Sequence, residues 1–209
     1  KQILILFFTV SPWILSAQTM QPRPTKAQLA WHDMEFYLFM HFGPNTFTGL
    51  EWGHGNENVE VFNPTNLDCE QWCRIAKAAG AKAIIITAKH HDGFCLWPSA
   101  YTDYNITKSP YKKDIVKEVV DAYTEAGIDI YLYFSVMDWN HPDWRYDLIT
   151  KEDSIAFDRF KLFTKNQLTE LLQRYPQTKG LWFDGTWDKS WQKSGAFSDS
   201  LEQHLKSLI

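Results

Sequence analysis

A chain of 209 residues with 21 basic and 25 acidic side chains carries a formal charge of −4, and no basic stripe able to neutralise phosphates runs through it, which argues against nucleic acid as a partner. A hydrophobic share of 44% rules out a disordered composition, and the length suffices to bury one sizeable core. Ten tryptophans and an aromatic share of 16% are heavy for an ordinary core and point to ligands with flat apolar faces, of which sugars are one class.

The first element in chain order is KQILILFFTVSPWILSAQ, in which Lys1 precedes a long apolar stretch that ends in the small residues Ser16 and Ala17. This pattern predicts an export signal over residues 1–17 with cleavage after Ala17, and hence a periplasmic or secreted protein without a membrane anchor once the signal is removed. Pro12 and the shortness of the run speak against a buried strand or a spanning helix. No cysteine near the cleavage point suggests a lipid anchor. The three cysteines, Cys69, Cys73 and Cys95, are an odd set for an exported protein. Cys69 and Cys73 stand one helical turn apart, a spacing that suits buried thiols on one helix face better than zinc or redox pairing.

From Trp31 onward an apolar strand run followed by a helical run repeats four times. Strands are predicted over residues 36–43, 83–90, 128–135 and 180–185, each apolar nearly throughout, as expected for strands covered on both faces. Helices are predicted over residues 67–79, 114–126, 153–175 and 197–209, the first two stopping at Gly80 and Gly127 as left-handed caps. Repeated βα units mean an α/β fold with a parallel sheet, doubly wound or closed into a barrel. No strand is followed by a glycine-rich phosphate turn, and polar or aromatic residues gather at every strand's carboxyl end, where barrel enzymes keep their chemistry. The expectation is a (β/α)8-type barrel of which residues 18–209 supply about the first four βα units, the amino-terminal part of a longer catalytic domain. Alone, such a piece is expected to aggregate or self-pair and to have little activity.

The stretch TAKHHDGFCLW begins where the second strand runs out. Within a strand His90 and His91 would point to opposite faces, but at its very end the loop can turn both towards one pocket. Neutral imidazoles donate and accept, which matches sugar hydroxyls, and Trp97 would offer an apolar face to the sugar ring. Two other readings stay open: imidazoles satisfied within the rim, or a metal site using His90 and His91 with Asp92 or Asp184, although no H-x-H or H-E-x-x-H spacing is present. In LWFDGTW, Trp182 and Asp184 are two apart and point the same way, and Gly185 leaves room beside the carboxylate. Asp184 there suits a nucleophile attacking an anomeric carbon, or a cap on the following helix. A retaining site needs a second carboxyl group, for which Glu202, in a helical run, and Glu51, on the first loop, are weak candidates.

The strings HFGPNTFTGLEWGHG, AKAAGAKAIIITAKHHDGFCLWPSAYTDYNI, KDIVKEVVDAYTEAGIDIYLYFSVMDWNHPDW and GLWFDG together resemble the amino-terminal half of an α-L-fucosidase of glycoside hydrolase family 29. The resemblance spans residues 29–185 and implies a barrel domain, a retaining double displacement, no metal or other cofactor, and release of α-linked L-fucose from a fucosylated oligosaccharide or glycoconjugate. It implies Asp184 as nucleophile and His41, His90 and His91 as fucose-binding histidines. It further implies sugar contacts from Glu51 and Trp52 on the first loop, from Tyr133 on the third strand and from Trp182 beside the nucleophile. The acid/base is expected to be a glutamate downstream of Ile209, and EWGHG with MDWNHPDW resembles the branch that prefers α-1,3/1,4-linked fucose.

Overall fold

The computed structural model describes residues 23–208, so the signal expected at residues 1–17 lies outside the described residues. The described residues divide into two units, the first ending at Asp33 and the second beginning at Met34. α1 (Lys26–Met34) lies in the first unit apart from its last residue. It opens on a reciprocal pair: Gln28 N donates to Thr25 Oγ1 at 3.2 Å and Thr25 N donates to Gln28 Oε1 at 2.8 Å, which satisfies two amides that a helix start otherwise leaves unpaired.

The second unit is an α/β fold built on one parallel sheet. β1 (Tyr37–Met40), β2 (Ala83–Lys89), β3 (Asp129–Ser135) and β4 (Gly180–Asp184) lie side by side in chain order. α2 (Asn45–Thr48) and α3 (Cys69–Ala78) follow β1, and α4 (Ile115–Ala126) follows β2. α5 (Lys151–Arg174) follows β3, and α6 (Lys189–Gln192) with α7 (Gly195–Lys206) follows β4. Each strand is laid beside its predecessor without the reversal of order that marks a doubly wound sheet.

Local chemistry sets the helix ends. On α4, Ile115, Val116, Val119, Val120 and Tyr123 are buried at three- and four-residue spacing. Asp114 caps its start by accepting from Lys117 N, and Gly127 ends it at φ 73°, a left-handed conformation that suits glycine. α5 begins two residues before the expected start because Thr150 and Asp153 form a capping box there. Cys69 and Cys73 are free, buried thiols on α3, and Cys95 is a third. Burial pushes the Cys69 thiol up to about 12, so these are packing groups rather than reactive ones.

Coverage of the strands on both faces holds in the middle of the sheet and fails at its sides. All seven residues of β2 are buried. On β1 and β4, which have one neighbouring strand each among the described residues, Phe39 stays 44% and Phe183 39% exposed.

Beneath the carboxyl end of the sheet, the fully buried Lys89 donates to Asp138 Oδ2 at 3.0 Å and to Gln167 Oε1 at 3.1 Å, its ammonium 4.3 Å from the centre of the Phe134 ring. One cation thus ties β2, the loop after β3 and α5 together. Lys89→Met strands the Asp138 charge in the interior and should lower unfolding stability by about 3–5 kcal/mol, with Lys89→Met/Asp138→Leu recovering most of it. Urea denaturation of the two variants measures this; a single-variant loss below about 1 kcal/mol would show that the pair does not hold the fold.

Candidate active site

Asp184 closes β4 opposite Ser135 of β3. Tyr133 OH donates to its Oδ2 at 2.5 Å and Gly185 N donates to Oδ1 at 2.8 Å. Burial and the adjacent carboxylate push the Tyr133 phenol far above its ordinary range, so it stays a donor. Gly185 sits at φ 84°, and a Cβ there would lie 2.7 Å from Met137 Cγ, so both conformation and space require glycine. The residue before α6 is Asp188, so Asp184 is not a helix cap.

The two histidines reach the same pocket because both lie past the end of β2, His91 in a turn, where strand alternation no longer applies. Pairing of β2 with β3 skips a register step between Thr87 and Lys89, a bulge that breaks the alternation before His90 and His91 leave the sheet. His91 Nδ1 lies 2.7 Å from Ser135 Oγ, and its Nε2 lies 3.8 Å from Asp184 Oδ2. His90 stacks on the Tyr133 ring at 5.6 Å, with its centroid 4.2 Å from His91 and 4.5 Å from His41. Burial, helped by the neighbouring imidazoles, pushes His90 down to about 3. Burial also lowers His41 and His91, while the charge on Asp184 opposes it in both. The rings are therefore neutral near pH 7, each with one donor and one acceptor, and His90 Nδ1 is buried without a partner among the described residues.

The other expected site residues divide. Trp182 lies opposite Tyr133 in the sheet. Trp52 stands on the first loop with its ring centroid 6.3 Å from His91. Glu51, next to it, is exposed, and its side chain makes no hydrogen bond or ion pair among the described residues. Glu202 pairs with Lys206 along α7. Trp97 is a correction: it is 0% exposed, and its Nε1 donates to Glu170 Oε2 at 2.8 Å, so it pins its loop to α5 and offers no face to a sugar. Asp92 likewise turns inward, its Oδ1 accepting from Phe94 N at 2.7 Å, while burial raises its carboxyl to about 7.

Two features were not singled out from the sequence. Phe39 packs edge-on against Tyr133 at 5.7 Å and Trp182 at 5.8 Å, forming an apolar corner beside Asp184. Its place two residues before His41, on the same strand face, was the available signal. A cleft of about 260 Å³ beyond His91 is lined by Trp139, Trp144, Tyr146 and Trp187, among others. The loops that build it carry no periodic pattern.

Ligand atoms of His90, His91 and Asp184 come within 4.8 Å of one another, close enough to hold a cation. Both Asp184 oxygens already accept hydrogen bonds, however, and His91 Nδ1 is engaged by Ser135.

His90 should stay neutral from about pH 8 down to about pH 5, which nitrogen-resolved NMR of its ring reads directly. The unfolded ring takes its proton near 6.5 and the folded one near about 3, so the unfolded state binds more protons between those values and folding loses stability as pH falls through that window. A midpoint near 6.5 in the folded protein would contradict the burial argument.

A model of the alpha-L-fucosidase family matches residues 15–207. Alpha-L-fucosidase 1 of Arabidopsis thaliana is 44% identical over 167 residues, which cover 78% of this chain and 31% of the relative. The plasma alpha-L-fucosidase of Rattus norvegicus is 36% identical over 188 residues, covering 75% and 40%. Among solved structures, an alpha-L-fucosidase GH29 from Bacteroides thetaiotaomicron superposes with a TM-score of 0.83 at 45% identity, covering 90% of this chain and 47% of that one. A trapped covalent intermediate of an alpha-L-fucosidase GH29 from the same organism, in complex with 2-fluoro-fucosyl fluoride, superposes with a TM-score of 0.82 at 44% identity. The chain spans between 31% and 47% of the length of these relatives. With a family match that covers nearly all of its residues and identities of this size, the chain belongs to the alpha-L-fucosidase family, glycoside hydrolase family 29.

Proposed function

We propose that these residues form the nucleophile side of the active site of an exported, retaining α-L-fucosidase, carried on the first four βα units of a (β/α)8 barrel. The observation that carries this reading is the Asp184 carboxylate, fixed at a strand tip by Tyr133 and Gly185 beside three neutral histidines. That a relative was trapped as a covalent intermediate with a fucosyl donor supports it. The unreversed strand order is consistent with a barrel, and the apolar amino-terminal run with export.

The geometry is compatible with a double displacement. An Asp184 oxygen attacks the anomeric carbon of an α-linked fucose, the bond to the leaving sugar's oxygen breaks, and a β-linked glycosyl ester forms. Water then displaces the carboxylate from the opposite face and restores the α configuration. Neutral His41, His90 and His91 take the sugar's hydroxyls as donors and acceptors. Phe39, Trp182 and the Tyr133 ring give its methyl group an apolar corner. The acid/base is a glutamate from the part of the relatives that this chain does not span; the relative with the covalent intermediate was trapped with glutamine in place of a glutamate.

The closeness of His90, His91 and Asp184 favours a second reading, a metal-dependent hydrolase. A chelator separates the two: it leaves a retaining fucosidase unchanged and abolishes metal-assisted hydrolysis.

In the full-length protein Asp184→Ala should lower kcat on α-L-fucosides by roughly three orders of magnitude or more. Proton NMR of the first-formed sugar should show α-fucose before mutarotation. First appearance of the β anomer, or near-normal turnover by the variant, would overturn the mechanism.

A further inference from the structure

What His91 can do depends on which of its ring nitrogens carries the proton. Its Nδ1 meets Ser135, the last residue of β3, which lies two residues after Tyr133 and opposite Asp184 in β4, so the serine shares the sheet face that carries the phenol and the carboxylate. Ser135 is 0% exposed. Its hydroxyl has three polar neighbours: Met137 O at 3.0 Å, Met137 N at 3.1 Å and His91 Nδ1 at 2.7 Å. A hydroxyl offers one proton and two lone pairs. Met137 O can only accept and Met137 N can only donate, so the proton goes to the carbonyl, one lone pair takes the amide, and the other is left for His91. Nδ1 must then bring the proton to that contact. The opposite arrangement, with the hydroxyl donating to Nδ1, would set the Ser135 and Met137 oxygens lone pair to lone pair at 3.0 Å, where water cannot relieve them.

A neutral imidazole protonated on Nδ1 has its lone pair on Nε2. That nitrogen lies 3.8 Å from Asp184 Oδ2, a separation that suits two acceptors and is too long for a hydrogen bond. Oδ2 already accepts from Tyr133 OH, and Oδ1 from Gly185 N. A third donor would draw off more of the charge that a nucleophilic carboxylate needs. We infer that Ser135 is a positioning residue: by holding the His91 proton on Nδ1 it keeps Nε2 an acceptor, which leaves Asp184 without a third hydrogen bond and turns the imidazole towards a hydroxyl that the substrate donates. The inference rests on the fucosidase reading for the substrate, while the tautomer rests on the contacts of Ser135 alone.

Nitrogen-resolved NMR of the full-length protein at neutral pH reads the tautomer, with the His91 signals identified by their absence from His91→Gln. Nδ1 should give the protonated, pyrrole-type signal and Nε2 the bare, pyridine-type one; the reverse in the wild type would overturn the inference whatever the variants do. Ser135→Ala removes the acceptor for Nδ1–H, so the proton should move to Nε2, and kcat on α-L-fucosides should fall roughly tenfold to a hundredfold, the size of one hydrogen bond to a charged group. Ser135→Thr keeps the hydroxyl and should keep the tautomer, with turnover within about threefold of the wild type. Lost turnover in Ser135→Ala with the proton still on Nδ1 would show that the serine only supports the fold. A Ser135→Thr enzyme with the wild-type tautomer and the alanine variant's turnover would separate the rate from the proton, and either result overturns the positioning role. Absence of any turnover of α-L-fucosides by the wild type would sink the fucosidase reading and the catalytic part of the inference with it, while the spectrum would still decide the tautomer.

Discussion

The site depends on one buried charge. Lys89 is the last residue of β2 and directly precedes His90 and His91, so the contact that fixes its ammonium also fixes where the two imidazoles leave the sheet. Asp138, which takes that ammonium, also accepts from His141 N at 3.0 Å and so shapes the loop after β3. A charge pair sealed from water has few alternative geometries, because any displacement strands an ion in a medium that solvates it poorly. The chain therefore anchors its polar pocket on an interaction that tolerates little drift. The glycine of the HHDG motif has its reason here too: a Cβ on Gly93 would stand 2.2 Å from Asp138 Oδ1, and its φ is 89°.

The loops at this end of the sheet are stitched to one another as well as to their strands. Trp139 N donates to His91 O at 2.9 Å, joining the second loop to the third. Asn140 Nδ2 donates to Gly55 O at 2.7 Å, joining the third to the first, and a Cβ at Gly55 would meet the backbone of Trp139 and Asn140 within 2.7 Å. Backbone packed on backbone leaves little freedom, and it delivers Trp52 and Trp139 to one side of His91. A pocket built of loops gains in this way the rigidity normally reserved for strands.

Much of this was legible in the sequence because the signals are local. Capping residues and three-to-four spacing located α3, α4 and α5 to within about two residues, since helix ends are decided by neighbours in the chain. His41, Asp184 and the paired histidines stood out because polar groups at the ends of apolar strands have little structural reason to be there. Trp97 was misread for the opposite reason: whether a loop tryptophan faces solvent or core depends on Glu170, 73 positions away, and nothing near Trp97 announces that partner. The aromatic cleft was hidden in the same way, since it exists only once the loops after β1, β3 and β4 meet. Uniformly apolar strands suggested uniform burial, but sequence does not say which strands lie at the sides of the sheet.

The bulge in β2 also has an evolutionary consequence. Side chains on a strand obey a parity rule, and the bulge resets the parity once, between Thr87 and Lys89, just before the histidines. Substitutions at the buried positions of β2 change volume and leave that parity alone, so lineages can exchange Ile84, Ile85 or Ile86 for other apolar residues and keep the site. A single-residue insertion or deletion between the strand's start and His90 shifts the count against β3 by one and displaces both rings relative to Asp184. Divergence in this strand is thus expected to run through exchanged side chains at constant length, with changes of length accumulating only in loops that do not carry the count.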